Sequence, residues 1–219
     1  MEFDLQEALR YLGADAKGAE SLLPQAEAAA KRLCASISPR WTYRVFPLLH
    51  EDGQISIPDA GITLQDASSR TMLAQCSHVV LLACTLGVSF DAMLRAERSR
   101  DMASAVVLDA CGSALVEAGC DAAEEELKTR FPNRYLTDRF SPGYGTLPLD
   151  LQPQICAALD TTRRLGIHVT DHFLMNPAKS VTAFIGLADT PQMARIRGCA
   201  YCAMRDTCSL RKGGKSCAT

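Results

Sequence analysis

The stretch that decides the fold runs from Arg139 to Gly186: RFSPGYGTLPLDLQPQICAALDTTRRLGIHVTDHFLMNPAKSVTAFIG. It begins with Arg139-Phe140-Ser141-Pro142-Gly143-Tyr144-Gly145, which reads as a turn or loop. Pro142 fixes its own φ and Gly143 permits the positive φ of a tight turn. Gly145 has no side chain to block a ligand approaching the backbone. Arg139 can clamp a carboxylate or phosphate through two parallel hydrogen bonds. Tyr144 can offer a ring face to a cation or a hydroxyl to a polar group. Together these groups suit a zwitterionic or cationic small ligand, although composition alone equally describes a plain Pro-Gly turn. Beyond the loop, Leu151 to Leu165 reads as a helix closed by Gly166. Ile167 to Thr170 and Ser180 to Leu187 read as strands joined through Asn176-Pro177.

Upstream, Asp101 to Lys128 is the longest helical pattern. Val106, Ala110, Ala114 and Ala118 stack on one face, Val107, Cys111 and Leu115 widen it, and its small residues would let another backbone approach. Asp109, Ser113 and Glu117 make an i, i+4, i+8 polar row, either a solvated face or one wall of a ligand cleft. His78 to Leu86 is a buried strand and Ser89 to Arg98 a helix. Phe3 to Leu12 and Ala19 to Ile37 are helical, the second starting late because Pro24 suits a first turn. Thr42 to Leu48 and Gln54 to Ile57 are extended around the turn Glu51-Asp52-Gly53. Thr63 with Asp66 forms a capping-box signature for a short helix. The expectation is an α+β fold, with one domain over 1–190 and a cysteine-rich segment over 191–219.

The chain has 219 residues, 23 Lys plus Arg against 25 Asp plus Glu, a net charge of -2, and a mean hydropathy of zero. That balance argues against general electrostatic capture of nucleic acid or an anionic membrane. The longest strictly apolar run, Val79 to Cys84, falls far short of the ~20 residues of a membrane span. The acidic start MEFDLQEA lacks the features of a signal peptide, so the expected setting is cytoplasmic, with reduced thiols.

The segment RFSPGYGTLP, Arg139 to Pro148, resembles the Arg-x-x-Pro-Gly-Tyr loop in the activation domain of cobalamin-dependent methionine synthase. The helix after it, the segment GIHVTDHFLMNPAKSVTAFIG, and the preceding LDACGSALVEAG (Leu108 to Gly119) resemble that domain in order and spacing. The likeness extends from about Leu81 to Gly186. It implies a central antiparallel sheet with flanking helices and a site for S-adenosylmethionine. It further implies a role in returning oxidised cob(II)alamin to methylcobalamin, by one-electron reduction and then methylation. Arg139 would hold the ligand carboxylate. Pro142, Gly143, Tyr144 and Gly145 would form the rest of the contact, through Tyr144 and the peptide groups around Gly143. Asp109 or Glu117 would stand in for the family's acidic residue on the ligand ammonium, and Phe184-Ile185 occupies the stretch where the full-length enzyme carries a tyrosine. No Asp-x-His-x-x-Gly cobalamin motif occurs, since Asp171 and His172 are adjacent. The chain is therefore expected to act in trans on a separate corrinoid methyltransferase or methionine synthase, with an electron donor such as flavodoxin or ferredoxin. No general base is required, because the sulfonium is already an electrophile.

Ten cysteines are about 5% of the chain, below a disulfide scaffold. Cys199-x2-Cys202-x5-Cys208-x8-Cys217 supplies four soft ligands, enough for an iron–sulfur cluster or zinc, with basic residues favouring the thiolates. Free thiols or a disulfide are the alternatives. A cluster could deliver the electron that reactivation needs; the alternative function is a redox or docking module that passes electrons to a corrinoid protein through such a cluster, without methyl transfer. Cys34, Cys76, Cys84, Cys111, Cys120 and Cys156 read as small buried hydrophobes. His168 and His172 fall in an extended stretch that spoils a shared ligand face, and Lys179 reads as a solvated turn lysine or as a contact for a phosphate or partner.

Overall fold

Alternation of apolar runs with helical patterns becomes, in the computed structural model, a mixed architecture. The structure describes residues 2–13 and 16–192. In chain order the elements are α1 (Leu5–Tyr11), α2 (Ala16–Ser36), β1 (Arg40–Pro47), β2 (Leu49–Glu51), β3 (Gln54–Ile57), β4 (Ile62–Leu64), α3 (Ala67–Leu73) and β5 (Cys76–Thr85). There follow α4 (Val88–Arg98), α5 (Met102–Arg130), β6 (Tyr135–Leu136), α6 (Gln152–Leu159), α7 (Thr161–Leu165), β7 (His168–Val169), β8 (Met175–Asn176) and β9 (Ser180–Ala188). The main sheet has the order β1-β5-β9-β6, with β6 antiparallel to β9. The inner strands β5 and β9 are buried from Val79 to Thr85 and from Thr182 to Ala188, so both read as continuous apolar runs rather than alternating ones.

The fold divides into two units. One comprises Met1–Thr42, Ala83–Glu126 and Thr161–Val181, the other Tyr43–Leu82, Leu127–Asp160 and Thr182–Thr219. In the first unit, α5 is buried on most of its circumference, through Leu108, Cys111, Ala114, Leu115, Ala118 and Ala123, while Val106, expected in the apolar stripe, is 53% exposed. Its small residues seat side chains. A Cβ at Gly112 would overlap the Phe90 ring, and one at Gly119 would lie 2.5 Å from Pro39 Cβ and 2.8 Å from Cys84 Sγ. By length and composition α5 is apolar enough to cross a membrane, yet 67% of that window is buried within the protein, as in a core helix.

In the second unit, β2, β3 and β4 form an antiparallel meander. Its first turn, Asp52-Gly53, has φ of 49° and 73° and directly joins the Glu51↔Gln54 pair, the two-residue hairpin suited to strand twist.

Several local expectations change. α2 begins at Ala16 and carries Pro24 in its interior. An interior proline removes a backbone hydrogen bond and disfavours a helix by about 3 kcal/mol. The buried face of Ala26, Ala29, Ala30 and Leu33 holds it helical nonetheless. Thr63 pairs with Ser56 in β4, and Asp66 alone caps α3, accepting from Ser69 N at 2.9 Å. The expected single helix from Leu151 to Leu165 is two, because Asp160 turns left-handed at φ 51° between α6 and α7. Cys34 is exposed, whereas Cys76, Cys84, Cys111, Cys120 and Cys156 are buried. Burial pushes the thiols of Cys76 and Cys111 up to about 11, with nearby Cys34 adding to the effect at Cys111.

An interior helical glycine is ordinarily worse than alanine by ~0.5–1 kcal/mol. Gly112→Ala should do the opposite and destabilise by about 1–3 kcal/mol, because Phe90 is fully buried and cannot withdraw cheaply. Urea denaturation checks this, and an alanine variant as stable as the parent would contradict the packing.

Candidate functional site

The loop beginning at Arg139 takes its shape from an irregularity in strand pairing. β6 and β9 pair Tyr135 with Ala188 and Leu136 with Leu187, and Thr137 N donates to Gly186 O at 3.0 Å. The next bridge is Phe140 with Phe184, closed by hydrogen bonds of 3.1 and 2.8 Å. Asp138 and Arg139 thus stand opposite Ile185 alone, a β-bulge with one extra residue, a device that re-aims a side chain. Thr137 helps make it: its Oγ1 donates to Asp138 O at 3.1 Å and accepts from Gly186 N at 2.8 Å. The rings of Phe140 and Phe184 stack at 5.5 Å just beyond. A Cβ on Gly186 would fall 2.5 Å from Cys76 Sγ and 2.8 Å from Thr137 Cγ2, so only glycine fits there.

The bulge leaves Arg139 only 7% exposed, engaged by interactions within the protein. Pro142 is buried and Gly143 takes φ 85°. Gly143 N donates to Leu147 O at 2.9 Å, Tyr144 N to Ser141 O at 3.1 Å, and Leu147 N to Tyr144 O at 3.1 Å. The peptide donors of Gly143 and Tyr144, expected to face a ligand, therefore close the turn. Arg139 is the loop's one guanidinium, already engaged within the protein, and Tyr144 is 41% exposed. Gly145, at φ 59°, lies where a Cβ would come 2.9 Å from Ser68 Oγ, so its missing side chain also admits Ser68.

Thr146 ties the loop to the start of α3. Its Oγ1 donates to Asp66 Oδ1 at 3.2 Å and accepts from Ser68 N at 3.2 Å, while Thr146 N donates to Ser68 Oγ at 3.3 Å. Asp66 thus serves helix and loop together. Beside this knot lies a cavity of about 400 Å³ lined by Gly61, Thr63, Leu64, Asp66, Pro148 and Asp150, among others. Arg139 and Tyr144 are not among its lining residues.

The polar row on α5 belongs to the other unit and is neither a bare solvated face nor an open wall. Lys179 Nζ donates to Asp109 Oδ2 at 2.9 Å and to Ser113 Oγ at 2.8 Å. Lys179, read as a solvated turn lysine or a ligand contact, does lie in the turn before β9 but is a strut: its side chain is 17% exposed, and its carbonyl accepts from Leu86 N at 3.0 Å. Asp109 therefore already carries an ammonium from within the chain. Glu117, half-buried, lies near Tyr11. Burial foremost, then the Glu117 and Glu7 carboxylates, push the Tyr11 phenol up to about 12. The structure gathers Arg139, Pro142, Gly143, Tyr144 and Gly145 in one loop, with Glu117 on a helix of the other unit. Cys199, Cys202, Cys208 and Cys217 lie outside the described residues, and among the described residues no group of three or more His, Cys, Asp or Glu could hold a metal. His168 and His172 are exposed, on β7 and in the turn after it.

The sequence alone did not reveal the bulge, the Thr146 contacts or the bonds of Lys179 to Asp109 and Ser113. The available signals were Thr146 next to the second loop glycine, and a carboxylate row on a helix otherwise made of small apolar residues.

The sequence model of the family "Vitamin B12 dependent methionine synthase, activation domain" matches residues 40–200. Thirteen chains of solved structures match the fold. One, the crystal structure of the MetH reactivation domain bound to AdoHcy, aligns with a TM-score of 0.64 at 19% identity, covering 94% of this chain and 76% of that one. No curated protein matches the chain.

Thr146→Val keeps the volume but removes the hydroxyl from the loop knot. It should cost about 1 kcal/mol of stability and speed amide exchange across residues 143–147. Unchanged exchange there would show that the loop does not depend on Thr146.

Proposed function

The chain belongs to the family of vitamin B12-dependent methionine synthase activation domains, and from that premise we propose that it binds S-adenosylmethionine and acts in trans to reactivate a separate corrinoid methyltransferase. The observation that carries this reading is the bulge that holds a nearly buried Arg139 at the root of a Pro-Gly-Tyr turn. A guanidinium offers a carboxylate two parallel charge-assisted hydrogen bonds, and water competes for these less where the arginine is largely shielded from solvent. The exposed Tyr144 ring offers a face to a sulfonium or ammonium.

S-adenosylmethionine supplies an electrophilic methyl group on a sulfonium. In the proposed reaction the partner's cobalt gains one electron from a donor of the flavodoxin or ferredoxin class. It then takes the methyl group as the sulfur–carbon bond breaks, leaving S-adenosylhomocysteine. This chain's residues bind and orient the donor: Arg139 holds the carboxylate end, and the closed turn fixes where Tyr144 stands. Orientation of this kind is worth ~7–11 kcal/mol of barrier, and no residue need move a proton. A cytoplasmic setting is part of the proposal.

The cysteine segment carries a second proposal, resting on spacing alone. Cys199, Cys202, Cys208 and Cys217 hold an iron–sulfur cluster, or zinc, beside six basic residues from Arg195 to Lys215. A cluster would pass the electron. Protein purified without oxygen should then contain metal that is lost in the Cys199→Ser/Cys202→Ser variant; metal-free wild-type protein would end this proposal.

Calorimetric titration with S-adenosylmethionine tests the main reading. Saturable binding is expected, weakened roughly 10- to 100-fold in Arg139→Ala, since a charge-assisted bond is worth ~1.5–3 kcal/mol. Circular dichroism guards against misfolding, and Arg139→Lys should retain part of the affinity. Equal affinity of wild type and a folded Arg139→Ala would remove Arg139 from the site.

A further inference from the structure

Most arginines among the described residues are engaged. Arg10 and Arg32 pair with Glu7 and Glu97, Arg134 pairs with Asp189, and Arg40 and Arg44 donate to the carbonyls of Leu165 and Ala158. Arg95, Arg98 and Arg100 differ. They lie where α4 turns into α5, all three are exposed, and none has an ion pair or side-chain hydrogen bond among the described residues. The carboxylates nearby are taken up by the chain itself. Asp91 Oδ2 accepts from Ala178 N at 3.3 Å, and Glu97 lies against Arg32 at 2.6 Å with its side chain 14% exposed. Asp101 accepts from Ala103 N at 3.0 Å and from Ser104 Oγ at 2.6 Å, and Asp109 carries Lys179. The corner therefore turns positive charge outward. Beside it, Met102 and Val106, four residues apart on one face of α5, are 61% and 53% exposed.

The negative end of α4 favours cations in its last turn, which suits Arg95 and Arg98. It requires neither a third arginine nor an exposed apolar pair. We propose that this corner docks an acidic protein surface, a segment presenting Asp and Glu side chains around one or two apolar residues. The proposal is independent of the ligand reading. A guanidinium takes a carboxylate through two parallel hydrogen bonds, and arginine and methionine are enriched where proteins meet. Charge also selects the class of partner. The whole chain carries -2, so a nucleic acid or an anionic membrane feels no attraction beyond the reach of the corner itself. Phosphates would satisfy the arginines and leave Met102 and Val106 against charge and water. A protein surface matches both.

The corner is held ready. Arg32 on α2 bonds to Glu97 on α4, and Gln25 Nε2 on α2 donates to Ser104 Oγ on α5 at 3.0 Å, so both helices are tied to a third behind the exposed face. A prearranged surface loses less freedom on association. Three cations and two apolar side chains make a small contact of the transient kind, in which charge chiefly sets the rate of encounter.

The test uses the full chain and a fluorescein-labelled peptide of glutamates and aspartates around two leucines. Anisotropy is read at about 10 mM salt, where charge attraction reaches ~30 Å. Saturable binding is expected, weakening as salt rises. Arg95→Gln/Arg98→Gln should weaken it about tenfold or more, with an unchanged melting temperature. Arg70→Gln/Arg164→Gln removes the same charge from exposed arginines elsewhere and should leave affinity within about twofold. Met102→Ser/Val106→Ser should cost several-fold, because it removes the apolar centre and keeps every charge. No binding by wild type, or equal losses from the two arginine pairs, would overturn the proposal. A duplex oligonucleotide or phosphatidylserine vesicles held more tightly than the peptide through Arg95 and Arg98 would make the corner a polyanion site and overturn it as well.

Discussion

One extra residue in the β6 edge strand sets the geometry of the loop proposed as the ligand site. Between the Thr137–Gly186 hydrogen bond and the Phe140–Phe184 bridge, two residues face one. Side chains alternate along a strand, so an added residue reverses the faces of everything beyond it. Arg139 therefore leaves the regular ladder, and the chain enters the Ser141–Gly145 turn at an angle set by the sheet. The arrangement is held from both sides. Stacked Phe140 and Phe184 close the ladder after the bulge, and the crowding of Gly186 by Cys76, Thr137 and Leu73 keeps β9 against its neighbours before it. A residue larger than glycine at 186 would push the strand away and misplace the arginine.

The second constraint is the tie between the long helix and the turn before β9. The central part of α5 is largely buried, and Asp109 lies at its partly exposed margin. Lys179 donates to Asp109 and Ser113, and so ties the turn before β9 to the helix. The pair is partly exposed, with 41% of the Asp109 side chain open. Its free energy is accordingly modest, and its effect is to fix position more than to stabilise.

Much of this fold was legible because local chemistry sufficed. The Asp52-Gly53 hairpin, the apolar strand at Val79 to Thr85, the long helix from Asp101, and the Pro142-Gly143 turn each follow from residues adjacent in sequence. The family's motifs placed Arg139 to Gly145 in one loop, and the structure keeps them together. What was not legible depends on distant partners. The bulge exists only relative to Phe184, more than forty residues on from Phe140. Lys179 looked like a turn residue because Asp109 is remote from it in sequence. Pro24 sits inside α2 because burial of its neighbours outweighs a local penalty, and Asp160 breaks a helix whose apolar pattern continues through it. Thr63 matched a capping pattern, but its pairing with Ser56 claimed it for a strand.

The central claim is that the bulge-borne loop is where the sulfonium ligand docks. Hydrogen–deuterium exchange of the intact chain, with and without saturating S-adenosylmethionine, measures it directly. The account predicts protection concentrated in residues 139–148, with the amides of Gly143, Tyr144 and Leu147 slowed most, because the hydrogen bonds that close the turn open less often once ligand is held. Saturable binding that leaves the exchange of residues 139–148 unchanged would place the ligand elsewhere and contradict it.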